Sequence, residues 1–344
     1  VTTITDLWQA TSLMAADMAE QPAVLARLLG RRRTLVADIG EVMPPSLRGV
    51  ALVGRGSSGH AAAFGRYLLE TASGLPAAVV PPTLLSAHRS GSPYTGFLAF
   101  GISQSGESPD VANALAVLRR AGARTVALTA HPSSRMGRDA HLALDLATGA
   151  ELAVPATKTF TATLFLLLLA AEALGPVTWS VQELERLPGA LLHILADSEP
   201  AERAAVGLEG HDGWACVGSG LLAPIAAEAA LKLEEVALVV ADHHSSASFR
   251  HGPIATAGPR RAVLAFAAGP DDSTLGLVDD LRRRGSPVLL ASPGPDADLV
   301  LPALPGPLLA LAAAVRAQQL ALALAERRHL DPDHPPGLTK VTRT

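Results

Sequence analysis

Two stretches of the sequence recur at nearly the same spacing. Ala51-Leu-Val-Gly-Arg-Gly56 returns as Ala215-Cys-Val-Gly-Ser-Gly220, 164 residues later, and Leu118-Arg-Arg-Ala-Gly122 returns as Leu281-Arg-Arg-Arg-Gly285, 163 residues later. Chance echoes would not keep one separation, so the chain is read as a duplicated unit. Within the first copy, apolar runs at 50–53, 77–80, 96–102 and 125–129 alternate with helical stretches at 60–72 and 109–121. That alternation predicts α/β architecture with a parallel, doubly wound sheet covered on both faces. The expected division is an N-terminal helical segment at 1–45, a first subdomain at 46–176, a helical connector at 177–205, a second subdomain at 206–330 and a Pro/Gly-rich C-terminal tail at 331–344. The tail reads as an irregular strand lying on something else.

With 49% hydrophobic and 17% charged residues, 344 residues supply two ordinary cores. The formal net charge of -4 shows none of the basic excess that a phosphate backbone or an anionic membrane attracts, so neither nucleic acid nor membrane is expected as a partner. Aromatics are only 3%, which leaves little for stacking on bases or sugars. A single cysteine, Cys216, and no charged-then-apolar leader fit a cytoplasmic protein. The apolar stretches 161–175 and 308–324 read as buried helices: the first is short for a bilayer and carries Glu172, and the second is interrupted by Arg316, Gln318 and Gln319.

Of 28 basic residues only Lys158, Lys232 and Lys340 are lysines. Arginine does not become a free amine at ordinary pH, so any amine chemistry rests on those three. Gly54-Arg-Gly56-Ser57-Ser58-Gly59 follows a predicted strand and opens a helix. It matches a dinucleotide fingerprint, but the next strand runs into Pro81-Pro82 where a ribose-binding acid would stand. Ser103-Gln104-Ser105-Gly106-Glu107-Ser108 offers hydroxyls, an amide and backbone N–H groups in one strand-to-helix turn. Such a turn holds a phosphate without lysine or metal, although Ser105 or Ser108 can also serve as a helix cap. In the second half Glu228, Lys232 and Glu235 fall on one helix face, either as a solvated ion-pair stripe or as the lining of a cleft. The segment 242–253 reads as a polar loop with His243, His244 and His251. Its spacing fits no common zinc template, so no metal and no cofactor are expected, and a single histidine suits proton transfer.

Together these residues resemble the sugar isomerase (SIS) family, in particular the isomerase half of glucosamine-6-phosphate synthase and its stand-alone relatives. The resemblance rests on Gly56-Ser-Ser58, 103–108, Glu151-Leu-Ala-Val-Pro-Ala-Thr-Lys-Thr-Phe160, 228–235, Arg250-His-Gly-Pro253 and Leu338-Thr-Lys-Val-Thr342. It implies two flavodoxin-like subdomains. It also implies a sugar phosphate held by Ser58, Ser103, Gln104, Ser105 and Ser108, with Ser57, Val154, Ala156 and Lys232 lining the substrate site. The resemblance further implies that Glu235 moves a proton between C1 and C2, that His251 assists ring opening from a neighbouring subunit of a homodimer, and that Lys340 forms an imine with the open ketose. Val240 stands where the synthase has a histidine and Asp242 where it has a nearby glutamate, and these 344 residues hold no cysteine glutaminase domain. The expectation is therefore a stand-alone enzyme deaminating glucosamine 6-phosphate to fructose 6-phosphate. An aldose-ketose phosphosugar isomerase, a fructosamine-6-phosphate deglycase and a non-catalytic phosphosugar-sensing module remain open.

Overall fold

The computed structural model describes residues 12–86 and 93–340. The opening of the expected N-terminal helical segment, 1–11, and the last four residues of the tail, 341–344, lie outside them. The described residues fold into two units, one comprising 23–86, 93–151, 158–180 and 339–340, the other 12–22, 152–157 and 181–338. We call them the first and second lobes, after the order of their sheets.

The first lobe is built on five parallel strands: β1 (Gly49–Val53), β2 (Ala77–Val79), β3 (Phe97–Ile102), β4 (Arg124–Thr129) and β5 (Leu142–Asp145). Their order is β2-β1-β3-β4-β5, the arrangement of a flavodoxin-like sheet. The central strands are buried on both faces, which is why they read as unbroken apolar runs. Helices Ser57–Ser73 and Pro109–Arg120 follow β1 and β3, and the apolar helix Lys158–Leu174 packs on the first of these. From Lys158 to Ala171 every residue of that last helix is buried.

The second lobe repeats the plan. Strands β6 (Gly213–Gly218), β7 (Val240–Ser245), β8 (Arg261–Phe266), β9 (Val288–Ser292) and β10 (Leu299–Val300) are ordered β10-β9-β8-β6-β7, the same topology counted from β6. Registers correspond as well, with Ala51 opposite Ala99 in one lobe and Ala215 opposite Val263 in the other. The glycine turns match in detail. Gly56 and its counterpart Gly220 adopt φ of 51° and 54°, a left-handed region that costs other residues about 1–2 kcal/mol.

Helix Gly306–Arg327 is the one element among the described residues long and apolar enough to cross a membrane by length and composition, and it is buried throughout its apolar window. Leu308, Leu309, Leu311, Leu320, Leu322 and Leu324 are inaccessible to solvent. Each such leucine contributes roughly 1.5–3 kcal/mol through burial. Both apolar stretches are thus the buried core helices that the sequence suggested.

The tail to residue 338 runs without regular structure on the second lobe, with Pro332 and Pro335 buried. Its Asp333 carboxylate accepts the N–H groups of Leu13 and Met14, each at 2.8 Å, while Ser12 Oγ accepts that of Ala15 at 3.1 Å. Three of the four donors that open helix Leu13–Ala19 are therefore satisfied.

Candidate active site

In the first lobe, two turns leave the carboxyl ends of β1 and β3, the adjacent strands at which the order of the sheet reverses. Ligands of doubly wound proteins bind at that crevice. After β1, Gly54 lies so close to Ser58 that a Cβ would meet its carbonyl oxygen at 2.3 Å. Ser57 then begins helix Ser57–Ser73, and both Ser57 and Ser58 are partly exposed at its N-terminus.

The second turn is more tightly built. Ser103 is 5% exposed; its hydroxyl accepts the Gly106 N–H at 3.2 Å and donates to Ser108 Oγ at 3.2 Å. Ser105 Oγ accepts the Glu107 N–H at 3.2 Å. The backbone carbonyl of Gln104 is fixed by the Ala130 N–H and by the Thr129 hydroxyl, each at 3.0 Å. Gly106 is required at its position, because φ is +65° and a Cβ would fall 1.9 Å from Ser134 Oγ. Ser108 occupies the N-cap position of helix Pro109–Arg120 but makes no side-chain capping bond, so the capping explanation of this serine does not hold. Gln104 and Ser58 are both partly exposed beside it. Glu107 turns its carboxylate to the Arg135 N–H at 2.9 Å, and Arg55 pairs with Asp110 at 2.6 Å. The turn therefore presents hydroxyl and amide donors at a helix N-terminus with no lysine of its own, an arrangement suited to an oxyanion.

The first lobe also places Lys340. Its Nζ donates to Glu151 Oε2 at 2.8 Å, and the Glu151 side chain is 1% exposed. Glu151 in turn accepts from the Thr159 N–H at 3.1 Å and the Thr159 hydroxyl at 2.7 Å, where helix Lys158–Leu174 begins. Glu151 thus anchors both the helix start and the tail lysine, a role the sequence did not assign. An acidic residue just ahead of an apolar helix was the available signal. Lys158 is also buried, at 1% exposure.

In the second lobe the charged stripe is buried, which removes the solvated reading. Lys232 is inaccessible and Glu228 is 1% exposed. Lys232 Nζ lies 3.6 Å from Glu228 Oε1 and bonds Glu235 Oε2. Only Glu235 reaches the surface of this triad, its side chain 19% exposed. A carboxylate so placed has one oxygen fixed by an ammonium and retains access to a substrate proton. Val154 and Ala156 are partly exposed, and the Val154 N–H donates to the Asp333 carbonyl of the tail at 3.1 Å.

The histidine segment differs from expectation. His243 and His244 lie on β7 rather than in a loop, opposite Cys216 and Val217 of β6. β7 is an edge strand, and its backbone pairing with β6 holds it without an apolar pattern. His251 is exposed at the end of helix Ser246–Arg250. Among the described residues no group of three or more His, Cys, Asp or Glu side chains is placed to hold a metal. Cys216 is fully buried; burial, reinforced by the charges of Asp242 and Glu234, pushes its thiol far up, so it is no nucleophile at neutral pH.

Residues 48–173, which contain both turns of the first lobe, match the SIS domain. The chain contains a SIS domain. It is similar to the glutamine–fructose-6-phosphate aminotransferase (isomerizing) of Symbiobacterium thermophilum, 34% identical over 358 aligned positions that cover 95% of this chain and 58% of the relative. The chain thus spans less than three fifths of the length of that curated relative. Two solved structures share the fold. The C-terminal domain of glucosamine-fructose-6-phosphate aminotransferase from Francisella tularensis superposes with a TM-score of 0.82 at 22% identity, covering 94% of this chain and 98% of that one. Glucosamine-6-phosphate deaminase from Thermotoga maritima superposes with a TM-score of 0.80 at 24% identity, covering 97% and 100%. The duplicated flavodoxin-like architecture read from the sequence is therefore that of SIS proteins.

Proposed function

We propose that this SIS-domain protein is a phosphosugar-processing enzyme that converts glucosamine 6-phosphate and water to fructose 6-phosphate and ammonia. The observation that carries the reading is the buried triad of the second lobe, in which Lys232 holds Glu235 and Glu235 alone stays accessible. A buried lysine between two glutamates is costly unless it serves a purpose, because removing charges from water carries a penalty of several kcal/mol per ion.

In this reading the turn at 103–108, with Ser57 and Ser58, grips the phosphate ester, while Val154 and Ala156 line the sugar. Binding energy spent on the ester positions C1 and C2. His251, contributed by the partner subunit of a homodimer, assists opening of the pyranose. Glu235 takes the proton from C2 of the open aldose, and the electron pair moves to form an enaminol with the O1 oxygen protonated. Glu235 then returns the proton to C1 as the nitrogen loses one of its own, giving a ketimine at C2. Water adds to that carbon and ammonia leaves, so the atoms balance without a redox step. Lys340, held by Glu151 at 2.8 Å, leaves its carboxylate partner and donates to the carbonyl oxygen or, as the free amine, adds to the carbonyl carbon and forms an imine with loss of that oxygen as water. The Thermotoga deaminase, named for this substrate, supports the reading at the level of the fold.

The identity to the Symbiobacterium aminotransferase favours one related reading, in which the same proton shuttle serves the isomerising step of amino-sugar formation. Incubating the purified protein with glucosamine 6-phosphate and, separately, with unaminated hexose phosphates, and assaying ammonia and ketose, tests the deaminase reading. Release of ammonia with fructose 6-phosphate supports the deaminase. Aldose-ketose interconversion of unaminated phosphates without ammonia release overturns it in favour of a simple isomerase.

A further inference from the structure

The turn after β8 in the second lobe stands where the Ser103 turn stands in the first, and it already contains an anion. Asp272 lies 164 residues after Ser108. Its Oδ1 accepts from the Ser219 hydroxyl at 2.7 Å and the Thr274 N–H at 2.8 Å, and its Oδ2 accepts from the Ala268 N–H at 2.9 Å. Ser219 follows β6, Ala268 follows β8, and Thr274 begins helix Thr274–Arg283, so the donors converge from three elements. β6 and β8 are neighbours at the point where the second sheet reverses its order. That crevice is where doubly wound sheets bind ligands. The Thr274 hydroxyl completes the network by bonding to Ser246 at 2.7 Å and to Ser219 at 3.3 Å.

We propose that this crevice is an oxyanion site occupied from within, with the Asp272 carboxylate standing in for an external ligand. A helix cap alone uses one carboxylate oxygen on its own first-turn N–H groups. Here the second oxygen is held by a strand-end N–H, and the first is shared with a hydroxyl from another strand end. Partial burial works to raise the Asp272 carboxyl; the bonds from Ala268, Thr274 and Ser219 outweigh it and hold the group below the usual carboxylate range. The ligand class that fits the emptied site is a small oxyanion: a carboxylate first, a sulfate or phosphate second. The consequence for the intact chain is that only the serine turn of the first lobe accepts an ester from solution. The inference goes beyond the proposed reaction and does not depend on it, since its readout involves neither the 103–108 turn nor Glu235.

The test is thermal unfolding of the full chain and of two variants, Asp272→Ala and Asp272→Asn, titrated with sodium formate, sulfate and phosphate against sodium chloride at matched ionic strength. Asp272→Ala is expected to unfold roughly 3–6 °C lower than the parent, and formate is expected to recover at least half of that loss in a saturable manner. Neither the parent nor Asp272→Asn, whose amide fills the space, responds to formate beyond the chloride control. Recovery with sulfate or phosphate as well extends the site to tetrahedral oxyanions. An Asp272→Asn variant as stable as the parent, or an Asp272→Ala variant that responds to every salt alike, overturns the proposal and leaves Asp272 a helix cap. If Asp272→Ala does not fold in buffer, refolding yield becomes the readout. A higher yield in formate than in chloride supports the site, and equal yields reject it.

Discussion

The turns after β3 and after β8 occupy equivalent positions in a duplicated fold, yet one is assembled from serines and the other around an aspartate. In the first lobe Ser103, Ser105 and Ser108 stand with Gly106 at φ +65°; at the position matching Gly106 the second lobe has Pro270, whose ring fixes φ near -65°. A backbone that cannot enter the left-handed region cannot reproduce the serine turn. Asp272 then supplies internally the negative charge that, in the proposed reading, the first lobe takes from a ligand. Duplication has thus preserved the scaffold, down to Gly56 and Gly220, while dividing the work. In the proposed reading one lobe binds an ester, and the other contributes the Glu228–Lys232–Glu235 triad.

The largest expected effect tests that division. Glu235→Gln should lower turnover of glucosamine 6-phosphate by about 10²–10⁴-fold, the usual worth of a positioned acid-base group, with sugar-phosphate affinity kept within a few-fold. Equal losses in both would mean that the triad supports structure rather than chemistry. Next in size is Gly106→Ala, which meets Ser134 at 1.9 Å as well as a forbidden φ. It should cost about 2–4 kcal/mol in denaturant unfolding and most of the phosphate affinity. Gly269→Ala, in the matching turn with nothing within 4 Å of its added carbon, should cost well under 1 kcal/mol. Comparable losses at the two positions would remove the distinction between the turns. Gly56→Ala and Gly220→Ala should each cost about 1–2 kcal/mol, nearly equally, because the two glycines share a positive φ in open space. Tolerance at one alone would show that the copies have diverged in backbone. The smallest effect is a pH dependence. The folded Asp272 carboxyl lies below its unfolded value near 3.8, so its contribution is present above about pH 4 and is lost as pH falls through the folded value. The difference in unfolding temperature between the parent and Asp272→Asn should therefore be flat from pH 6 to 7 and narrow below about pH 4.

The sequence disclosed the repeat because strands buried on both faces read as apolar runs, and β1, β3 and β6 do. It did not disclose β5 and β10. These are strands of four and two residues, and β5 is half-exposed, so their place depends on backbone pairing with β4 and β9. The same cause hid β7, where Asp242-His-His-Ser245 carries no apolar alternation. The serine turn was legible because several hydroxyls in six residues exceed what capping needs. Asp272 was not, since one aspartate before a helix looks like any cap until Ser219, 53 residues earlier, is brought against it. Glu151 was hidden for a similar reason, being 189 residues from Lys340. The burial of Lys232 resolved a pattern that spacing left ambiguous, because i, i+4 pairs look alike on a wet face and a dry one.

Calorimetric titration of the intact protein with fructose 6-phosphate tests the central asymmetry most directly. One site per chain is expected, abolished by the double substitution Ser103→Ala with Ser108→Ala and retained in Asp272→Asn. Two sites per chain, or binding undiminished by loss of the two serines, would contradict it.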